Sequence, residues 1–149
     1  MIPFVNYELY MGEALEEARG AVARGERPHA AVAVLDEAMV ARGRDKVRET
    51  GDPTAHAVVV ALREAARKVG RDRLRDVTIF ATMEPCPMCV GALLASDVEE
   101  LVYAVPNRAN GAAGTRIQLA EHPDLQRRIK VVSGIRRDEV EEVYATVVR

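Results

Sequence analysis

Between residues 7 and 24 apolar side chains return at helical spacing: Met11, Leu15, Ala18 and Val22, with Glu13, Glu16, Glu17 and Arg19 between them. That period predicts an amphipathic helix with one face on a core, and Gly25 supplies a stop. The pattern then changes. Ala31 to Leu35 is an unbroken apolar run, which predicts a short strand buried on both faces. Asp36-Glu37 reads as a turn and Ala38 to Arg42 as the hairpin partner. Residues 55 to 69 predict a helix. Its first half, to Leu62, is apolar except for His56, and its second half carries Arg63, Glu64, Arg67 and Lys68. Val77 to Ala81 predicts a strand, residues 87 to 96 a helix and Glu100 to Ala104 a strand. This order and spacing imply a parallel, right-handed crossover. Gln118 to Arg128 reads as a short helix and turn broken by Pro123. Ile129 to Val132 reads as a last strand. Asp138 to Val148 reads as a final helix, with Val140, Val143, Tyr144 and Val147 on one face.

The chain of 149 residues reads as one domain, residues 1–149, long enough for a real core. Hydrophobic residues are 48% and charged residues 30%, a globular balance. The formal net charge of −2 gives no global pull towards nucleic acid. Arg63, Arg67, Lys68, Arg71, Arg73 and Arg75 form a local basic stretch, read as a solvated helix end in preference to a phosphate contact. No apolar run approaches the ~20 residues needed to span a bilayer. Met1-Ile2-Pro3-Phe4 leads into an acidic helix without a basic leader, so no signal peptide is expected. The two cysteines, closely spaced, point to metal in place of a structural disulfide, and to a reducing cytoplasm.

Those cysteines lie in Thr82-Met83-Glu84-Pro85-Cys86-Pro87-Met88-Cys89. A third candidate ligand stands upstream in Asp52-Pro53-Thr54-Ala55-His56-Ala57. Cys86 and Cys89 are three apart and face one way on a first helical turn. A helix N-terminus and a metal both favour thiolate. A histidine buried among Val and Ala needs a partner, which a metal provides. Two thiolates and one imidazole make a three-ligand zinc set that leaves a fourth position for water, as catalytic zinc requires.

Together with Asn110-Gly111-Ala112-Ala113-Gly114-Thr115, these blocks resemble the zinc-dependent cytidine deaminase-like superfamily, with its H-x-E and P-C-x-x-C signature. They are most similar to the bacterial tRNA adenosine deaminases and guanine deaminase-type nucleoside deaminases, over roughly residues 7 to 145. The resemblance implies a three-layer α/β/α sandwich with a mixed five-stranded sheet. It implies one zinc ion per chain on His56, Cys86 and Cys89, and a homodimer. The implied reaction is hydrolytic deamination of an amino-purine or amino-pyrimidine base, in tRNA adenosine or a free nucleobase or nucleoside.

By the same resemblance Ala30 (where the family usually has Gly), Ala57 and Pro85 line the substrate side, and residues 107–115 form a pocket or partner-contact loop. Glu84 orients the loop around the metal. His29 stands beside the pocket, a candidate proton shuttle. Asp45 falls where the family has an Asn that recognises the base. A carboxylate only accepts hydrogen bonds, so Asp45 in the pocket would favour a donor-rich substrate edge or a cation. The other reading is a solvated loop residue between Arg44 and Lys46.

One position departs from the pattern. The catalytic Glu of the family stands two residues after the metal-binding His, and here Val58 is found. Valine moves no protons, and general acid–base catalysis supplies about 10²–10⁴-fold in rate, so the standard chemistry is expected to be impaired. Eukaryotic tRNA adenosine deaminases pair a catalytic subunit with a partner that has Val at this place. By that resemblance the alternative is an inactive, zinc-stabilised binding subunit that joins an active deaminase. The acidic final helix, with Glu139, Glu141 and Glu142, also departs from the aromatic and basic tail of the tRNA enzymes.

Overall fold

Asn6 opens the first helix: its side chain accepts the Leu9 N–H at 3.0 Å and caps α1, Tyr7–Ala23. The computed structural model describes residues 6–147. Met1 to Phe4 therefore lie outside the described residues, as do Val148, the expected end of the last helix, and Arg149.

After α1 come β1 (Ala30–Leu35), β2 (Ala38–Arg44), a single helical turn α2 (Val47–Thr50) and α3 (Ala57–Val69). A 3₁₀ turn, Arg71–Asp76, leads to β3 (Thr78–Met83), α4 (Pro87–Ala95), β4 (Glu100–Val105), β5 (Lys130–Ser133) and α5 (Arg137–Ala145). The sheet order is β2-β1-β3-β4-β5. Strand β1 runs antiparallel to β2 and β3, while β3, β4 and β5 are parallel. The β1–β2 turn needs left-handed backbone at both Asp36 (φ 52°) and Glu37 (φ 61°), the two-residue hairpin that matches strand twist.

Alternate strand residues serve opposite layers. Ala31, Ala33, Ile79, Ala81, Leu101 and Tyr103 pack towards α3 and α4. Ala30, Val32, Val34, Phe80, Val102 and Ala104 pack towards α1 and α5. Both faces are covered, which is why β1, β3 and β4 read as continuous apolar runs without the alternation of a half-exposed strand. The architecture is the three-layer α/β/α sandwich with a mixed five-stranded sheet expected above. Phe80 sits at the centre of the α1 layer, its ring 5.5 Å from Tyr10 and 6.0 Å from Tyr7 between centroids.

One local expectation needs correction, and two short elements are new. Gln118 to Arg128 holds no helix. Its groups are satisfied one at a time: Gln118 Oε1 accepts the Glu121 N–H, His122 Nδ1 accepts the Asp124 N–H, and Arg128 reaches Pro123 O. The segment is mostly exposed and offers no apolar stripe to hold a helix against the sheet. The α2 turn and the 3₁₀ turn had no periodic signal because each is too short to show one.

Candidate functional site

Asp52 shapes the approach to α3 by accepting both the N–H and the hydroxyl of Thr54, at 2.9 and 2.7 Å. His56 then sits in extended backbone as the N-cap residue of α3. Cys86 is the N-cap residue of α4, with Pro87 at the first helical position and Cys89 inside the first turn. Two helix N-termini thus meet at one point, and their dipoles favour negative charge there.

The Nδ1 of His56 lies 3.6 Å from Cys86 Sγ and 3.5 Å from Cys89 Sγ. All three donor atoms fall within 4.8 Å of one another. Tetrahedral zinc with Zn–S of about 2.3 Å and Zn–N of about 2.0–2.1 Å requires an N···S edge of about 3.6 Å. The donor set fits zinc in both chemistry and spacing. As an isolated pair the two sulfurs compete for one proton. The hydrogen bond from Cys89 holds the Cys86 thiol down to about 5, and the same bond, with burial, pushes the Cys89 thiol up. A divalent cation removes that competition, because a coordinating thiol is deprotonated outright.

A cavity of about 270 Å³ opens beside this cluster. That is just below the usual range of small-molecule pockets, about 300–1,000 Å³. Every site residue singled out in the sequence borders it: His29, Ala30, Asp45, Ala57, Val58, Glu84 and Pro85, with the three metal ligands. Val58 is 4% exposed, with its surface turned to the cavity wall and the α3 core.

Glu84 is 1% exposed, and both its oxygens are engaged. They accept the N–H groups of Asn107, Ala113 and Thr115 at 3.2, 2.9 and 3.0 Å, and the Thr115 hydroxyl. All four donors come from one loop. Gly111 is required in that loop by close approach: a Cβ there would stand 2.5 Å from Glu84 Cδ and 2.6 Å from Asn107 O. Glu84 is the post around which residues 107–115 are wound.

Asp45 is not a solvated loop residue. It is 1% exposed, its N–H donates to His29 O at 3.0 Å, and its Oδ1 accepts the Val47 N–H at 3.0 Å. His29 is held on its other side by Tyr144, whose hydroxyl lies 2.8 Å from Nδ1 and 3.0 Å from Thr82 Oγ1. Thr82 in turn accepts the Ala30 N–H at 3.1 Å. Burial lowers the His29 pKa to about 4; Asp45 opposes this, while Arg27 and His56 add to it. The imidazole is therefore neutral near pH 7.

Sequence reasoning placed Tyr144 on an apolar helix face and gave it no part in the site. A tyrosine in an i, i+3, i+4 stripe carries no mark that its hydroxyl reaches a cavity. Arg27 and Thr82 also border the cavity, as do Asn107 and Asn110 of the Gly-rich loop.

Comparison with known proteins agrees with this geometry. A profile described as the cytidine and deoxycytidylate deaminase zinc-binding region matches residues 5–105. The chain is 38% identical over 133 residues to a tRNA-specific adenosine deaminase of Bacillus subtilis, covering 89% of this chain and 82% of the relative. It is 45% identical over 112 residues to the chloroplastic tRNA(adenine(34)) deaminase of Arabidopsis thaliana, covering 75% of this chain but only 9% of that much longer protein. Among solved structures, one from a study of A-to-I editing by tRNA:A34 deaminases superposes with a TM-score of 0.86 at 34% identity, covering 91% and 98% of the two chains. A guanine deaminase from Nitrosomonas europaea superposes with a TM-score of 0.74 at 27% identity, covering 97% and 87%.

Proposed function

Because the chain belongs to the cytidine and deoxycytidylate deaminase zinc-binding family, we propose that it takes an amino-purine or amino-pyrimidine base into the cavity beside His56, Cys86 and Cys89, and that its hydrolytic deamination is slowed by Val58. The observation that carries this reading is the opening of the cavity directly onto a three-donor zinc set. Zinc supplies an activated water to such a site. In the overall reaction a water oxygen replaces the exocyclic amine on the ring carbon, and the amine departs as ammonia after gaining protons.

The protein's share of that chemistry is binding, orientation and proton movement. Asp45 and the backbone around Ala57 and Pro85 hold the base against the metal side. The loop wound on Glu84 closes one wall. Proton movement is the weak link, since Val58 carries no titratable atom and both Glu84 oxygens are engaged by the loop. His29 is the remaining candidate to relay a proton. Its low pKa makes it a poor base, because general catalysis works best with a pKa near the operating pH.

The substrate is tRNA adenosine or a free base or nucleoside; the relatives' names include tRNA-specific adenosine deaminases and a guanine deaminase. A homodimer in the cytoplasm completes this reading. Val58 favours a second reading, a zinc-stabilised subunit that binds a base or RNA without turnover and joins an active deaminase.

The deciding experiment measures ammonia release from zinc-loaded protein, with Val58→Glu assayed in parallel, on tRNA, adenine, guanine, cytosine and their nucleosides. Turnover that rises about 10²–10⁴-fold in Val58→Glu supports the first reading. Turnover by the unaltered chain at the Val58→Glu rate removes the role given to Val58. Silence from both chains, with a co-purifying deaminase, selects the second reading.

A further inference from the structure

We propose that Asp45 sets the substrate class of this cavity, by selecting purines that present two adjacent N–H donors, the N1–H and 2-amino edge of guanine, over the donor–acceptor edge of adenine. The inference rests on the base-binding reading above and narrows it.

The argument begins with what Asp45 has and lacks. It is buried to 1% exposure, yet borders the cavity. The backbone on both sides is pinned: Asp45 N–H to His29 O at 3.0 Å, and Lys46 N–H to Ala55 O at 3.0 Å. Its side chain takes one protein donor, the Val47 N–H on Oδ1. Among the described residues no other donor bonds it and no cation pairs with it. Arg44, its neighbour in sequence, is turned to Glu49 at 3.0 Å, and burial keeps the nearby His29 imidazole neutral near pH 7. Its second oxygen takes no protein donor and is not enclosed by protein, so its open side is the cavity.

The cavity is where the missing donors must come from. Arg27 is the one Lys or Arg on the same lining and forms no ion pair with Asp45 among the described residues, so the open side of Asp45 is free for a bound molecule. A carboxylate has acceptors on both oxygens and no donor. Guanine offers two neighbouring N–H groups that match it side by side. Hypoxanthine keeps N1–H but loses the amine. Adenine places a bare ring nitrogen beside its amine, so one Asp45 oxygen would face a lone pair. An asparagine at the same place would offer one donor and one acceptor, and would suit adenine.

The test is calorimetric binding of 9-methylguanine, 9-methylhypoxanthine and 9-methyladenine to the zinc-loaded protein and to Asp45→Asn. The methyl group fixes the ring tautomers, so only the reading edge differs. Asn keeps the acceptor for the Val47 N–H, and zinc content with thermal melting checks that the variant is folded. The expected order for the unaltered chain is guanine over hypoxanthine over adenine, with about a tenfold to hundredfold span. In Asp45→Asn that span collapses or inverts. An unaltered chain that binds 9-methyladenine at least as tightly as 9-methylguanine overturns the proposal while leaving the base-binding reading intact. So does an order that Asp45→Asn does not change. If no base binds a folded, zinc-loaded protein, the base-binding reading fails and this inference fails with it. Should Asp45→Asn not fold, the ranking by the unaltered chain alone still decides.

Discussion

Nδ1 of His29 and the hydroxyl of Tyr144 meet at 2.8 Å, across 115 residues of chain. The contact ties the end of α5 to the rim of the cavity, and Thr82 on β3 completes the link at 3.0 Å. The acidic final helix therefore reaches the site. Tyr144→Phe removes the shared hydroxyl and leaves His29 Nδ1 without its partner, while Thr82 Oγ1 keeps its bonds to the Ala30 backbone. We expect a loss of about 1–2 kcal/mol in urea unfolding. A double-mutant cycle with His29→Gln should be non-additive by more than about 0.5 kcal/mol.

The low pKa of His29 has a consequence for acid stability. Between pH 6.5 and about 4 the unfolded chain binds a proton on this residue that the native protein refuses. Stability therefore falls as pH falls through that window, by about 3 kcal/mol at most. It is independent of this residue above pH 6.5. Chemical denaturation at pH 7 and 4.5 should show a shallower loss for His29→Gln than for the unaltered protein. Zinc release at acid pH acts on both proteins and drops out of the difference.

The metal set predicts its own signature. Purified protein should carry one zinc per chain on His56, Cys86 and Cys89. His56→Ala or Cys86→Ser should bring zinc content close to zero and lower the melting temperature. A chelator should lower the melting temperature of the unaltered chain but barely move that of either variant. Because ligands bind metal only when deprotonated, zinc affinity should weaken as pH falls.

The loop around Glu84 is sensitive to a single methyl group. Gly111→Ala places a Cβ within 2.6 Å of both Glu84 Cδ and Asn107 O, and overpacking of this kind costs about 1–3 kcal/mol. Glu84→Gln turns an amide donor towards backbone N–H groups and should cost about 3 kcal/mol. Both should raise protease sensitivity between residues 107 and 115 more than elsewhere, measured by the site of first cleavage.

How much of this was legible in the sequence depends on the range over which each signal acts. Helical periodicity marked α1, a half-apolar, half-charged pattern marked α3, and short apolar runs marked α4, β1, β3 and β4. The zinc ligands were legible because Cys86 and Cys89 sit on one helical turn and His56 stands at the start of a helix: local geometry carried the chemistry. Gln118 to Arg128 was misread because charged residues at helical spacing form no helix without a surface to cover. Whether Asp45 was solvated or buried turned on how α2 and α3 close over the end of β2, which no local pattern encodes. That all four donors to Glu84 come from residues 107–115, and that Tyr144 reaches His29, required the parallel strands to stack and α5 to dock. These are contacts between residues distant in sequence, whose energy exists only once the layers have assembled. The sequence by itself determined the helices, the buried strands and the metal-ligand set; tertiary structure alone decided which polar groups line the cavity, because that depends on contacts between distant segments.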